Sequence, residues 1–388
     1  MGFVFYALHL ATIWGIAASN VFMGLATIAA LVARRWRDFR APQLARPVLL
    51  LGWFAFLFCL SVAFSYEPAT SARKFDDLFS LLPFVLTLIF VSIGRHARQV
   101  CAVLVLLGTG LAVVGLVQVV AAGGIDELRI AGPFSHYQTY AGVLLLCDLL
   151  ALASLGRAAA GRLERTALVV ALAVMNVALF ANLTRGSWVA LVLALLFLVA
   201  LRSPKALLAI VPALVVVAFV LPGPIRGRAM SIFDLTNGSN YDRLIMLEAG
   251  AKMIAERPVF GLGPELVEKR YSLYRHPTAP TDERPHLHNS YLQIAAERGL
   301  VALGVFLALL AASLGVGLRN YREEGGAGGP RADLHLGAAA ALVAYTLAAL
   351  FEDNWTDSEV QRVALFVIAL PFCLHRIREE ACSEAPNP

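Results

Sequence analysis

Charge is scarce in this sequence. Only 15% of its 388 residues are Asp, Glu, Lys or Arg, against 59% that are hydrophobic, and mean hydropathy is +0.71. Soluble domains carry about a quarter of charged residues, so this composition excludes that class and implies an integral membrane protein. Alternating strand patterns are missing as well. That leaves helices, which satisfy their own backbone groups in hydrocarbon. The chain has no Walker loop, no G-x-S-x-G elbow and no H-E-x-x-H pair, so nothing points to an ATP-driven pump, a serine hydrolase or a zinc protease. "GLGPE" (261–265) lacks the third glycine and the strand–helix context of a dinucleotide site. The N-terminus has neither a basic n-region nor a small-residue cleavage site, and is expected to be a retained first span.

What is present are apolar stretches near the roughly 20 residues that a bilayer core requires. They fall at about 4–33, 47–65, 78–93, 100–122, 136–155, 166–183, 187–201, 205–221, 291–317, 334–351 and 360–375. The first is long enough for one tilted helix, or for two short ones broken near Ser19-Asn20. Basic residues then assign the sides. Arg34, Arg35, Arg37 and Arg40; Arg95 and Arg98; Arg157, Arg162 and Arg165; Arg202 and Lys205; Arg319 and Arg322; and Arg376 and Arg378 occupy alternate loops. Those loops are expected to be cytoplasmic. The same topology accounts for the net charge of +5, so no nucleic-acid partner is expected. None of the five cysteines falls in an outward loop, and no disulfide is expected.

One outward segment, from about Leu221 to Asn289, is too long for a passive connector. Within it, Leu244, Leu247, Ala251 and Ile254 recur at helical spacing before Pro258 and two glycines stop the helix. This spacing predicts a surface helix packed on the membrane domain by that face. The expected organisation is transmembrane helices 1 to 8 or 9 in residues 1–220, the loop with its amphipathic helix in 221–290, C-terminal spans in 291–376, and a cytoplasmic tail in 377–388.

Ionisable groups at membrane depth are costly unless paired or wetted, so those at the outward ends of spans are the candidates. Arg185 lies in the outward turn of "ANLTRGSWVAL" (181–191), where a guanidinium suits either phosphate oxygens or lipid headgroups. Arg243 follows the turn "NGSNYD" at a helix start, and reads either as part of an anion site or as the partner of Asp242 or Asp234. The stretch "RPHLHNSYLQIAAERGLVAL" (284–303) sets His286, His288, Asn289, Tyr291, Glu297 and Arg298 against a lipid-soluble run. An imidazole can take a proton near neutral pH, so His288 is a candidate base. His286 with Asp282 or Glu283 raises the question of a metal, but the cluster lacks a ligand spacing, and no metal is expected. Two outward hinges, "GPFSHYQTYAG" (132–142) and "FEDNWTDSE" (351–359), add His136, Tyr137, Gln138, Asp353 and Trp355. These read either as interface anchors or as sugar-lining groups.

"HNSYLQIAAERG" also resembles the signature of the O-antigen ligase family, in which His and Asn, Ser or Gln are followed by nine residues and Gly. His288-Asn289, Ser290 to Arg298, and Gly299 fit it; where the pattern next has Gly, Thr or Tyr, this chain has Ala302. "TRGSWVAL" and "RLIMLEAGAKMIAERPVFGLG" are similar to the family in the same order. The resemblance implies a GT-C-like, all-α polytopic glycosyltransferase of about twelve transmembrane helices with one large periplasmic loop in the bacterial inner membrane. It implies, too, transfer of an O-antigen glycan from undecaprenyl pyrophosphate to lipid A-core without metal or cofactor. His288 would be the catalytic base and Arg185 and Arg243 the donor-binding arginines, with Asn289, Tyr291, His286, Arg298, His136, Gln138 and Asp353 as further substrate-binding candidates. O-antigen polymerases and O-linked oligosaccharyltransferases share the pattern in looser form, and a non-enzymatic glycolipid exporter is the alternative outside enzymes.

Overall fold

The structure, a computed structural model, describes residues 1–124, 129–157, 160–220, 223–232, 234 and 238–384. Leu221 and Asn237, at the start of the long loop and in its turn, lie outside the described residues. Among the described residues every regular element is helical. In chain order these are α1 (Gly2–Ala11), α2 (Ile16–Val32), α3 (Pro42–Ala63), α4 (Pro68–Ser71), α5 (Leu82–Phe90), α6 (Gly94–Ala121), α7 (Tyr137–Leu155), α8 (Arg162–Ala181), α9 (Arg185–Arg202), α10 (Leu207–Val220), α11 (Gly223–Met230), α12 (Gly238–Glu256), α13 (Leu266–Tyr274), α14 (Ser290–Glu323), α15 (Ala332–Ala348) and α16 (Ser358–Glu384). Seven of them, α3, α6, α7, α8, α9, α14 and α16, are long and apolar enough to cross a bilayer. The chain is thus an all-helical, multi-pass membrane protein.

The helices sort by burial. α7 and α16 are enclosed on nearly all sides, and α15 packs against α7, α9, α14 and α16. Peripheral helices instead expose large apolar residues such as Leu106, Val120, Val169 and Val170, as expected where hydrocarbon is the solvent.

Three local expectations are corrected. The first apolar stretch does break, but at residues 12–15 rather than near Ser19-Asn20. Ser19 lies inside α2 because its hydroxyl is taken up by α1: Oγ donates to the His9 carbonyl at 2.9 Å and contacts His9 Nδ1 at 2.8 Å. The stretch 78–93 divides into a 3-10 segment, Ala72–Leu81, and the nine-residue α5; Pro83, in the first turn of α5, suits a helix start. Lastly, α12 packs through Ile245, Met246, Ala249, Gly250 and Met253, while Leu244 and Leu247 are exposed. The buried stripe is turned because α12 meets two partners, α13 and α14, and Gly250 admits Leu292 where an added Cβ would lie 2.6 Å from that side chain.

α14 carries the break that organises the long loop. At Gly299 the backbone leaves helical angles (φ 84°, ψ 167°), a region that disfavours any Cβ. An added Cβ there would lie 2.0 Å from the Val259 carbonyl oxygen. The segment 258–263 docks in this notch and replaces the helical hydrogen bonds that the kink removes. Leu262 N–H donates to Ala296 O at 2.8 Å, Gly263 N–H to Glu297 O at 3.0 Å, and Leu300 N–H to Pro258 O at 2.8 Å. The Glu297–Arg298 pair before the kink is likewise accommodated. The Glu297 carboxylate accepts from Glu265 N–H at 3.0 Å, and Arg298 reaches Asp77 at 3.1 Å.

Candidate functional site

The turn before α14 presents two imidazoles on one side. Leu287 is buried in the cluster beneath the loop, and its N–H donates to Gln293 Oε1 at 3.0 Å. With Leu287 anchored inward, His286 and His288 share the opposite side, their rings 4.4 Å apart and edge to face. His288 holds a left-handed φ of 47°, a conformation that non-glycine residues adopt chiefly where surrounding contacts enforce it. Next to it, Asn289 caps α14 by accepting from Leu292 N–H at 3.0 Å.

Facing them is Glu352, in the α15–α16 loop. His288 Nδ1 lies 2.9 Å and 3.0 Å from its two carboxylate oxygens. That loop is tied to the start of α14: Ser290 N–H donates to Ala349 O, Asn289 Nδ2 to Leu350 O, Ser290 Oγ to Glu352 O and Trp355 N–H to Ser290 Oγ. Tyr291 OH donates to Thr346 O at 2.7 Å. Burial pushes the Glu352 carboxyl up, but the His288 hydrogen bond, the neighbouring imidazoles and Asp353 N–H together hold it below the ordinary carboxylate range. An ionised Glu352 assigns the proton of His288 to Nδ1 and leaves Nε2 as the basic nitrogen.

His286 plays a different part. Its Nδ1 accepts from His288 N–H at 3.3 Å and stands 3.5 Å from Glu352. Burial, followed by the raising effect of Glu352 and the opposing effect of His288, leaves its pKa lowered overall. Asp282 pairs with Arg275 instead, so the acid nearest His286 is Glu352. One ligand atom from each of His286, His288 and Glu352 lies within 4.8 Å of the others, close enough to share a metal ion. The two short contacts of His288 are, however, ordinary hydrogen-bond lengths that require only one shared proton.

The arginines form a second group. Asn182, fully buried, donates to Ile130 O and Tyr137 O and so binds the 181–185 turn to the start of α7. Arg185 opens α9 there and spends its guanidinium on the loop: NH1 donates to Ser231 O (2.6 Å) and Oγ (2.9 Å), and NH2 to Ser239 Oγ (3.0 Å) and Asn240 Oδ1 (2.7 Å). Arg243 NH1 also donates to Ser239 Oγ, and its Nε to Phe351 O; Asp242 pairs with Arg284. Two further arginines, missed in the sequence, join them. Arg228 Nε donates to Leu183 O, and Arg129 stacks over the Tyr137 ring at 4.6 Å. Burial, then the charges of Arg129 and Arg243, lower the Arg228 pKa, and Arg185 has Arg129, Arg228 and Arg243 as charged neighbours. Among the described residues no carboxylate lies within ion-pair distance of any of the four.

A narrow crevice joins the two groups, since Gln138, Thr184, Arg243, Glu352 and Asn354 all line it. His136 caps α7, accepting from Gln138 N–H; burial lowers its pKa against the raising effect of Glu352. The structure therefore brings His136, Gln138, Arg185, Arg243, His286 and His288 to one end of the bundle. Asn289 and Tyr291 stand beside them with polar atoms engaged in the fold. Asp353 accepts from Thr356 Oγ1 at 2.6 Å and is not the partner of His288. Arg298 lies apart, beside Asp77 and the Phe54 and Phe58 rings.

Residues 168–307 match the family model described as O-antigen ligase. That segment holds Arg185, Arg228, Arg243, His286, His288 and Gly299, and ends before Glu352. No curated protein matches the chain.

Proposed function

We propose that this chain, which belongs to the O-antigen ligase family through residues 168–307, transfers a glycan from undecaprenyl pyrophosphate to lipid A-core at the periplasmic face of the bacterial inner membrane. The observation that carries this reading is the pairing of His288–Glu352 with four guanidiniums that have no carboxylate partner among the described residues. A glycosyl pyrophosphate already has a good leaving group, so the enzyme needs charge stabilisation and a positioned nucleophile. The acceptor hydroxyl gives its proton to His288 Nε2 as its oxygen bonds to C1 of the sugar. The C1–O bond to pyrophosphate breaks on the opposite face, and its electron pair leaves with the lipid pyrophosphate. Inversion at C1 follows.

Each group has one task in this scheme. Glu352 holds Nδ1–H and stabilises the imidazolium that forms, while Arg129, Arg185, Arg228 and Arg243 supply charge-assisted hydrogen bonds to the departing phosphates. No metal or other cofactor is needed, and transfer is expected to persist in EDTA; recovery that depends on added divalent ion would instead assign His286, His288 and Glu352 to a metal. The donor, the acceptor and the bilayer lipids are the expected partners.

A lipopolysaccharide gel of a deletion strain tests the reading. Lipid A-core without O-chains, beside accumulated lipid-linked polymer, is expected. A single capped repeat would mean an O-antigen polymerase, unchanged lipopolysaccharide with loss of protein glycans an oligosaccharyltransferase, and trapped lipid-linked glycan on the cytoplasmic side an exporter.

A further inference from the structure

A second cavity, of about 680 Å³, is walled by α2, α3, the 72–81 segment, Arg298 of α14 and the loop into α16. It shares no lining residue with the arginine crevice. Its volume is that of a small-molecule site. Two side chains of its wall are buried with unused donors: Trp355, 1% exposed, and Arg362, 3% exposed. Arg362 NH2 donates to Asn20 Oδ1 at 2.6 Å, but its Nε and NH1, and Trp355 Nε1, have no acceptor among the described residues. Buried donors of this kind are costly unless something accepts from them.

The charge and the rim of the cavity narrow what that acceptor is. Asp76 and Asp77 line the same space, with Asp77 paired to Arg298, so the wall offers acceptors as well as donors. Sugar hydroxyls, which both accept and donate, can use both kinds of group. At the rim, Ile28 and Phe79 are 59% and 66% exposed, a surface suited to a hydrocarbon chain.

We propose that this cavity seats the hydroxyl-rich head of a glycolipid, with its oxygens on Trp355 Nε1 and Arg362, its hydroxyl protons toward Asp76, and its chain leaving past Ile28 and Phe79. The inference rests on the transfer reaction proposed above, in which the glycolipid is the acceptor. Trp355 follows Glu352 by three residues on one loop, so an oligosaccharide head anchored at Trp355 extends along that loop toward His288.

The experiment uses the full chain in detergent with lipid A-core lacking O-chains as the probe. Arg362→Gln and Asp76→Asn are expected to raise the half-saturating acceptor concentration on the order of tenfold, the effect of losing one good hydrogen bond, with that of the donor unchanged. Arg243→Ala is expected to do the reverse. Trp355→Phe, which keeps the ring and removes the N–H, gives a second variant should Arg362→Gln not fold. Equal effects on both substrates, or on neither, overturn the assignment. So does loss of co-purifying phospholipid from Arg362→Gln, by mass spectrometry, with acceptor binding intact. Acceptor binding is also measured without turnover, on the His288→Ala chain. Should the deletion strain keep its O-chains while Arg362→Gln still weakens that binding, the reaction fails and the glycolipid seat stands.

Discussion

The arginine cluster and the His288–Glu352 pair adjoin one crevice, yet they are built on opposite electrostatic plans. Arg129, Arg185, Arg228 and Arg243 stand as like charges around one another and have no carboxylate partner among the described residues. His288 and Glu352 are matched, one proton between a base and a carboxylate. An unmatched cation cluster gains most from an incoming anion, and a matched pair is already satisfied in the free protein. The first arrangement is suited to holding a phosphorylated leaving group, and the second to moving a proton.

Variants that spoil one plan and spare the other test this division. The largest effect is expected from His288→Ala, which should slow transfer by ~10²–10⁴-fold, the range for a general acid–base group, with donor affinity retained in a direct binding assay. Robust transfer by that variant would remove His288 as base. Glu352→Gln should cost less, about tenfold to a hundredfold in turnover, again with donor affinity unchanged, because the imidazole stays while its orienting carboxylate is lost. A drop in donor affinity for either variant would mean that the two groups do not work separately.

Arg228→Ala should weaken donor binding by about tenfold, as for one charge-assisted hydrogen bond. Combined with Arg243→Ala it should be non-additive, since the two share neighbours and a ligand; strict additivity would place them in separate sites. Gly299→Ala should lower stability by ~2 kcal/mol or more through backbone strain, and should disturb both groups together because segment 258–263 docks there. Unaltered thermal stability would contradict the notch.

The smallest effect expected concerns pH. The folded-state pKa of Glu352 is depressed from its ordinary 4.5, so its contribution to stability is present above that value and lost as pH falls through the folded value. The gap in melting temperature between the wild type and Glu352→Gln should therefore be open at neutral pH and closed in acid. A gap that persists in acid would show that the carboxylate charge is not what matters.

Much of this architecture was legible beforehand, for identifiable reasons. The apolar stretches at 47–65, 100–122, 136–155, 166–183, 187–201, 291–317 and 360–375 each overlap one of the seven long helices, whereas those at 4–33, 78–93, 205–221 and 334–351 form shorter ones, because hydrophobic length marks a segment for lipid without fixing where its helix breaks. His288 and Gly299 were visible through their spacing. Glu352 is not distinguished in the sequence, since "FEDNWTDSE" contains several acids and nothing local says which one turns toward α14. Arg129 and Arg228 looked like any other loop arginines. The face of α12 was misjudged because its partners lie in α13 and α14, outside its own periodicity.

The sequence by itself determined that this is a helical membrane protein, because hydrocarbon offers the backbone no other partner; which of its apolar stretches form one long helix was decided by the fold. It also marked the glycine at which α14 bends. Only the tertiary structure decided that His288 meets Glu352, 64 residues away, and that four arginines from separate segments converge without an acid among the described residues. Those pairings depend on how helix ends are tied together by backbone and side-chain hydrogen bonds, which no local spacing records.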